Sequence, residues 1–150
     1  MSRDETIRPE SAKMTPGLDC KLFTAYDSGC SMISRLVACE KGIKWENYDI
    51  DILDKLDNIL PWYLDLNPVG VVPTLLTQDG TIINDSLNII RYIEDNYDGP
   101  SLLPVDSSLL MEKYEHFLQT YQKWNAFSFT FGYLFGSRPY MKNFGFPHLV

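Results

Sequence analysis

A short polar loop containing two serines and a cysteine lies directly before a predicted helix. It reads Asp27-Ser28-Gly29-Cys30-Ser31. Amide groups and the dipole at a helix start favour an anion, and a thiolate is an anion. A hydrogen bond to that charged sulfur contributes about 1.5–3 kcal/mol, which lowers a thiol pKa by about one to two units. One hydroxyl in this loop is therefore enough to activate a thiol.

Each polar residue of this loop also has a simpler role. Ser28 or Ser31 could only cap the helix, as serines commonly do. Cys30 could be a thiol with a depressed pKa that forms mixed disulfides, or a small buried side chain. The residue types alone leave these alternatives open.

A second informative segment is the run Asn67-Pro68-Val69-Gly70-Val71-Val72-Pro73-Thr74-Leu75. Because proline cannot donate to a sheet, Pro73 must be the first residue of a strand, and the context predicts a cis Val72–Pro73 bond. The dipeptide Asp79-Gly80 is typical of a hairpin turn, and Asp85-Ser86 opens a helix. The run therefore predicts a corner that exposes main-chain groups for peptide binding.

Alternating and helical apolar patterns predict the elements that carry these loops. Strands are expected at residues 21–26, 48–52, 74–77 and 81–83, and helices at residues 31–42, 53–66 (irregular, interrupted by Pro61) and 86–96. The order is βαβαββα, an α/β domain over residues 18–104. Residues 1–17 are predicted to be a disordered tail, and residues 105–150 to be the incomplete beginning of an all-helical domain.

Composition narrows the classes of function. The chain has 150 residues and a net charge of −7, which argues against nucleic acid and anionic membranes as partners. Its three cysteines lack zinc-site spacing, so we expect no metal site. We expect their thiols to be reduced, as is usual in the cytoplasm. No apolar run in these 150 residues is long enough for a transmembrane helix, and we expect no secretory signal because residues 1–17 contain no apolar run.

Residues 20–104 resemble the N-terminal thioredoxin-like domain of cytosolic glutathione S-transferases. The resemblance rests on the loop at residues 27–31, on Arg35, on the run at residues 67–75 and on the pair Asp85-Ser86. It implies glutathione as co-substrate, and it implies the following roles. Ser28 activates the glutathione thiol, with Cys30 as the second choice for that role. Val72, beside cis-Pro73, pairs with the cysteinyl unit of glutathione. Asp85 and Ser86 hold its γ-glutamyl end.

The resemblance implies a glutathione transferase that attacks a small electrophile, or a zeta-like isomerase, in each case acting as a homodimer. Two departures weaken the glutathione site: Val71 replaces a common polar anchor, and Asp85 is shorter than the usual Glu. The alternatives are a non-catalytic protein on the same scaffold and a monothiol reductase that uses Cys30. A dithiol mechanism is disfavoured because Ser28 and Ser31 stand where redox relatives carry two cysteines.

Overall fold

The computed structural model describes residues 7–104 and 106–123. Its first unit contains a four-stranded sheet with the strand order β2-β1-β3-β4. The strands are β1 (Cys20–Thr24), β2 (Trp45–Asp49), β3 (Thr74–Thr77) and β4 (Ile82–Asn84). The helices are α1 (Gly29–Glu40), α2 (Pro61–Leu64), α3 (Ser86–Asn96) and, in a second unit, α4 (Ser108–Lys123), with 3-10 turns at Glu10–Ala12 and Asp57–Ile59. The predicted α/β order βαβαββα, followed by a helix, is confirmed.

Strand β1 is the centre of the sheet. It pairs in parallel with β2 and antiparallel with β3, which pairs antiparallel with β4. Because successive strand residues face opposite sides, Leu22 and Leu75 join one apolar cluster while Phe23 and Leu76 join another. The first cluster includes Ala38, Ile89 and Ile93 of α1 and α3, and the second includes Ile50, Trp62, Tyr63 and Leu66. The sheet therefore has apolar packing on both faces.

The hairpin between β3 and β4 has the turn that its sequence predicts. Gly80 has a φ of +89°, its amide donates to the Thr77 carbonyl, and the Thr77 amide donates to the Thr81 carbonyl. This is the pattern of a three-residue hairpin loop with glycine in the left-handed conformation. The turn fixes the register that places Thr74 opposite Asn84.

Strand β2 begins three residues before the predicted segment at residues 48–52, and ends at Asp49. The Ile50 amide makes the last bond to β1, at the Thr24 carbonyl. The Asp51 carboxylate then accepts the amides of Leu53 and Asp54, which turns the chain away from the sheet and lowers the pKa of that carboxyl. The alternation over residues 48–52 continues past the strand because Ile50 is a core residue outside it.

Part of the predicted disordered tail packs onto the domain. Residues 10–12 form a 3-10 turn, and Ala12 is fully buried in the cluster that contains Phe23. The buried Lys21 ammonium donates to the Ser11 carbonyl and lies 3.2 Å from the Glu46 carboxylate. These contacts correct the prediction for residues 10–12, whereas residues 1–6 lie outside the described part of the chain.

The ends of α1 and α3 that lie away from the predicted site are joined by polar contacts. Lys41, the residue after α1, has its ammonium 3.2 Å from the Glu94 carboxylate of α3, and both side chains are largely buried. The chain beyond α3 also passes close to this point. At Gly99, with a φ of +130°, a Cβ atom would lie only 2.6 Å from the Lys41 carbonyl oxygen.

The second compact unit begins at Leu103. Its described part contains α4, on which Leu109, Leu110 and Phe117 are exposed. Residue 105 and residues 124–150 lie outside the described part of the chain, so most of the predicted helical domain over residues 105–150 stays a prediction.

Candidate functional site

The sheet register brings the loops that carry the predicted site residues to one edge of the sheet. Phe23 pairs with Thr74, and Thr74 pairs with Asn84. The loop after β1, the chain before β3 and the start of α3 after β4 therefore lie at neighbouring positions. Ser28 belongs to the first loop, Val72 and Pro73 to the second segment, and Asp85 and Ser86 to the third.

Ser28 is the residue that caps α1. Its hydroxyl oxygen accepts the Ser31 amide at 3.3 Å, and its carbonyl accepts the Met32 amide. The side chain is mostly buried. A hydroxyl has one proton to donate besides two acceptor positions, so the capping bond leaves that proton for another acceptor. The capping role and the thiol-activating role of Ser28 are therefore compatible.

The loop before Ser28 is held by contacts that the sequence did not reveal. The Ser28 amide closes a turn on the Ala25 carbonyl, and the buried Ser31 hydroxyl accepts the Ala25 amide. The Arg35 guanidinium donates to the Thr24 hydroxyl at 2.8 Å and to the Ala25 carbonyl at 3.2 Å. Arg35 therefore holds the loop in place.

The three cysteines have different environments, and no disulfide joins them. Cys30 is the second residue of α1 and is half-buried. Cys20 is fully buried in β1, and desolvation, with a contribution from Asp19, raises its thiol pKa to about 12. Cys39 is exposed near the other end of α1. Of the three, only Cys30 lies at the start of α1.

A buried polar cluster holds the segment before β3. The Asn67 amide group donates to the Val71 carbonyl at 2.7 Å and to the Thr74 hydroxyl at 3.2 Å. The Tyr63 hydroxyl donates to the same Val71 carbonyl at 2.8 Å, and burial raises the Tyr63 pKa to about 12. The Thr74 hydroxyl donates in turn to the Asn84 side chain. The sequence did not reveal this cluster, whose only local signal was the Asn-Pro dipeptide.

The predicted cis Val72–Pro73 bond is present. Val72 is half-buried, and among the described residues neither its amide nor its carbonyl has a hydrogen-bond partner. Buried or half-buried main-chain groups are usually paired. The Val72 main chain therefore offers one donor and one acceptor next to the start of β3.

Asp85 caps α3, with its carboxylate accepting the amides of Leu87 and Asn88. Its φ of +75° is uncommon for a residue other than glycine. Ser86 follows and is buried, and within the described residues neither its amide nor its hydroxyl has a hydrogen-bond partner. These two donors at a helix start fit a carboxylate. The exposed Asp85 carboxylate acts as the cap, which is the simpler of its two predicted roles.

The described residues contain no group of three or more His, Cys, Asp or Glu side chains that could bind a metal ion. None of the described helices is both long and apolar enough to cross a membrane.

The chain is similar to known proteins in both sequence and structure. The family model for "Glutathione S-transferase, N-terminal domain" matches residues 27–96. Glutathione S-transferase Z2 of Arabidopsis thaliana is 37% identical over 86 residues, which cover 57% of this chain and 38% of that protein. The chain spans about two fifths of the length of the curated relatives it matches.

Solved structures share the fold. Maleylacetoacetate isomerase of Methylobacterium extorquens AM1, solved with bound malonate and GSH, is 34% identical with a TM-score of 0.54, and the match covers 56% of this chain and 39% of that one. Beta-etherase LigF of Sphingobium sp. strain SYK-6 is 26% identical with a TM-score of 0.68, and the match covers 80% of this chain and 49% of that one. The second match supports a thioredoxin-like domain followed by helical structure.

Proposed function

We propose that this chain, whose residues 27–96 match the family model for the glutathione S-transferase N-terminal domain, is a member of that family and binds glutathione at the edge where α1, β3 and α3 begin. The observation that carries the proposal is the meeting of three sets of donors and acceptors at that edge. They are the Ser28 hydroxyl, the Val72 main chain and the Ser86 amide and hydroxyl. An extended cysteine-containing tripeptide carries a thiol, a peptide unit and a carboxylate, which match these three sets in kind.

Each part of glutathione has a partner in this arrangement. The cysteinyl unit pairs with the Val72 amide and carbonyl, as a strand adds to a sheet edge. The γ-glutamyl carboxylate binds the Ser86 donors at the start of α3. Asp85 caps α3 and provides negative charge near the γ-glutamyl ammonium. With these ends held, the sulfur lies against the start of α1.

Ser28 then lowers the pKa of the glutathione thiol. Its hydroxyl donates a hydrogen bond to the thiolate, and the α1 dipole adds to the stabilisation of the negative charge. The thiol proton leaves to solvent. The sulfur forms a bond to an electrophilic carbon of a small molecule, and the displaced electron pair leaves with a leaving group or moves into a conjugated carbonyl. In a zeta-like isomerisation the same sulfur adds and is later expelled.

The test begins with binding by the full chain. Calorimetry at millimolar glutathione should detect a complex, and the protein should conjugate glutathione to a chlorinated dinitrobenzene. Absence of binding would instead favour the non-catalytic alternative on the same scaffold. Ser28→Ala should then reduce conjugation by about ten- to a hundredfold, as a thiol pKa rise of about one to two units implies. Cys30→Ala is the control that should stay close to wild type.

Loss of activity only in Cys30→Ala would overturn the Ser28 assignment in favour of a monothiol mechanism. The position of Cys30 in the first turn of α1 is the observation that keeps this second candidate specific. Such a protein would use Cys30 and glutathione to reduce a disulfide substrate. In a thiol-exchange assay, Cys30→Ala would then lose activity and Ser28→Ala would keep it.

We also propose a homodimer located in the cytoplasm. The absence of a disulfide among the three cysteines, all of which are described, agrees with a reducing compartment. The dimer follows from the resemblance, and sedimentation of the full chain tests it.

A further inference from the structure

Two side chains bind the carbonyl oxygen of Val71. The Asn67 amide nitrogen lies 2.7 Å from this oxygen and the Tyr63 hydroxyl lies 2.8 Å from it. Asn67 and Tyr63 are at most 1% exposed, so both bonds are formed inside the domain. A carbonyl oxygen has two lone pairs, and here both are used.

This double contact fixes the direction of the next amide. The Val71–Val72 bond is not among the cis bonds of the described chain, so its carbonyl and N–H point in opposite directions. With the Val71 carbonyl held toward the interior, the Val72 N–H must point away from it. The Val72 donor thus owes its outward direction to two residues that do not themselves reach the surface.

Asn67 is itself held in one orientation. Its side-chain oxygen accepts the Val69 amide at 3.2 Å, and its main-chain carbonyl accepts the Gly70 amide at 2.8 Å. A rotated amide would bring its oxygen against the Val71 carbonyl and lose all three side-chain bonds. The residue therefore joins the turn at residues 67–70 to the Val72 donor as one rigid unit.

We propose that Asn67, together with Tyr63, is a positioning residue for glutathione, which orients the Val72 amide toward the cysteinyl carbonyl of the bound tripeptide. This inference rests on the proposed function and extends it to residues that do not touch the ligand. Without the Asn67 donor, the Val71–Val72 peptide rotates more easily, and glutathione must pay for ordering it on binding.

The test compares two identical substitutions in the same region. Asn67→Asp keeps the side-chain shape and the acceptor for the Val69 amide but removes the donor to Val71. Asn58→Asp is the matched control, because the Asn58 amide donates to the Gly70 carbonyl at 2.7 Å, one peptide before Val71. Tyr63→Phe removes the second donor to Val71 and tests the inference even if Asn67→Asp does not fold.

Calorimetry and steady-state kinetics on the full chain are the measurements. Asn67→Asp and Tyr63→Phe should each raise the glutathione Kd and KM on the order of tenfold, as expected for one hydrogen bond. The kcat at saturating glutathione should change little, and Asn58→Asp should bind like wild type. Thermal unfolding of each Asp variant measures any general loss of stability separately from the change in glutathione binding.

The outcomes separate the two proposals. Wild-type binding with equal Kd values for the Asn67 and Asn58 variants, or with Tyr63→Phe unchanged, would overturn the positioning role and leave the proposed function intact. No binding by the wild-type chain would overturn the proposed function and the role of Asn67 with it.

Discussion

Helices α1 and α3 begin at the same edge of the sheet, but their first turns are built differently. Ser28 caps α1 with an ordinary φ of −86°, a mostly buried side chain and a hydroxyl oxygen that accepts one amide. Asp85 caps α3 with a φ of +75°, an exposed side chain and a carboxylate that accepts two amides. The two starts differ in conformation, exposure and charge.

This difference indicates which groups each helix can offer to a ligand. The Ser28 cap retains a hydroxyl proton, so α1 offers a side-chain donor. The Asp85 carboxylate has no proton to give, and α3 instead offers the amide and hydroxyl of Ser86. A thiolate needs one donor at the sulfur and a carboxylate needs two, which matches the division between α1 and α3.

The largest effect on stability is expected where the two helices are joined, at Lys41 and Glu94. Glu94→Gln removes the charge that balances a buried ammonium, and we expect it to lower the free energy of unfolding by about 3 kcal/mol. Glu40→Gln, at the exposed last position of α1, is the matched control and should have little effect. Urea unfolding measures both. A small effect at Glu94 would show that the starts of the helices, rather than this contact, fix their relative position.

The same pair predicts a dependence of stability on pH. Burial raises the Glu94 pKa, but hydrogen bonds from Ser101 and Lys41 outweigh it, so the folded pKa lies below the ordinary 4.5. A carboxyl with a lowered folded pKa stabilises the fold above its unfolded pKa, and this stability is lost as the pH falls through the folded value. Wild type should therefore lose more stability than Glu94→Gln below pH 4.5.

An intermediate loss of stability is expected on substitution of Arg35, which holds the loop leading to Ser28. Arg35→Met keeps the aliphatic stem but removes the donors to Thr24 and Ala25, with an expected loss of about 2 kcal/mol. It should also reduce conjugation, because the Ser28 loop is less ordered. Arg91→Met on the exposed face of α3 is the control. Full activity in Arg35→Met would mean that the turn and the Ser31 bond suffice to hold the loop.

The smallest effect tests the caps themselves. Asp85→Ala should cost about 1–2 kcal/mol because it loses two capping bonds and places alanine at a positive φ. Ser28→Ala should cost less, about 1 kcal/mol, since its backbone is in an ordinary conformation. Asp85→Asn keeps a capping oxygen and tolerates positive φ, so it should unfold like wild type. Equal losses in the two alanine variants would show that the φ of Asp85 contributes nothing.

The order of elements was predictable because apolar spacing and breakers are local signals. Gly80, Pro61 and Pro73 each interrupt a pattern where the structure changes direction. Strand β2 was predicted too late because Ile50 is buried beyond the end of the strand. The packing of Ala12 was missed because a buried alanine in a polar segment has no periodic signal.

The candidate site was predictable only in part. Ser28, Val72, Asp85 and Ser86 lie at element boundaries that the sequence predicts, whereas their roles were implied by the family resemblance and stay a proposal. The contacts that hold these residues in place could not be predicted. Arg35, for example, donates to a main-chain carbonyl about ten residues away, which only the fold brings near. Asn67 was part of the recognised run, but its donors act on a carbonyl whose direction no sequence pattern shows.

Position 99, at the end of the domain away from the candidate site, requires glycine. A hydrogen atom is the largest group that fits beside the Lys41 carbonyl, where a Cβ would approach to 2.6 Å. In a saturation library, position 99 should thus reject all other amino acids, including alanine. Gly17 is also at positive φ, but a Cβ there would meet open space, so it is constrained by conformation alone. At Gly99, crowding against the Lys41 carbonyl is added to the constraint of a positive φ.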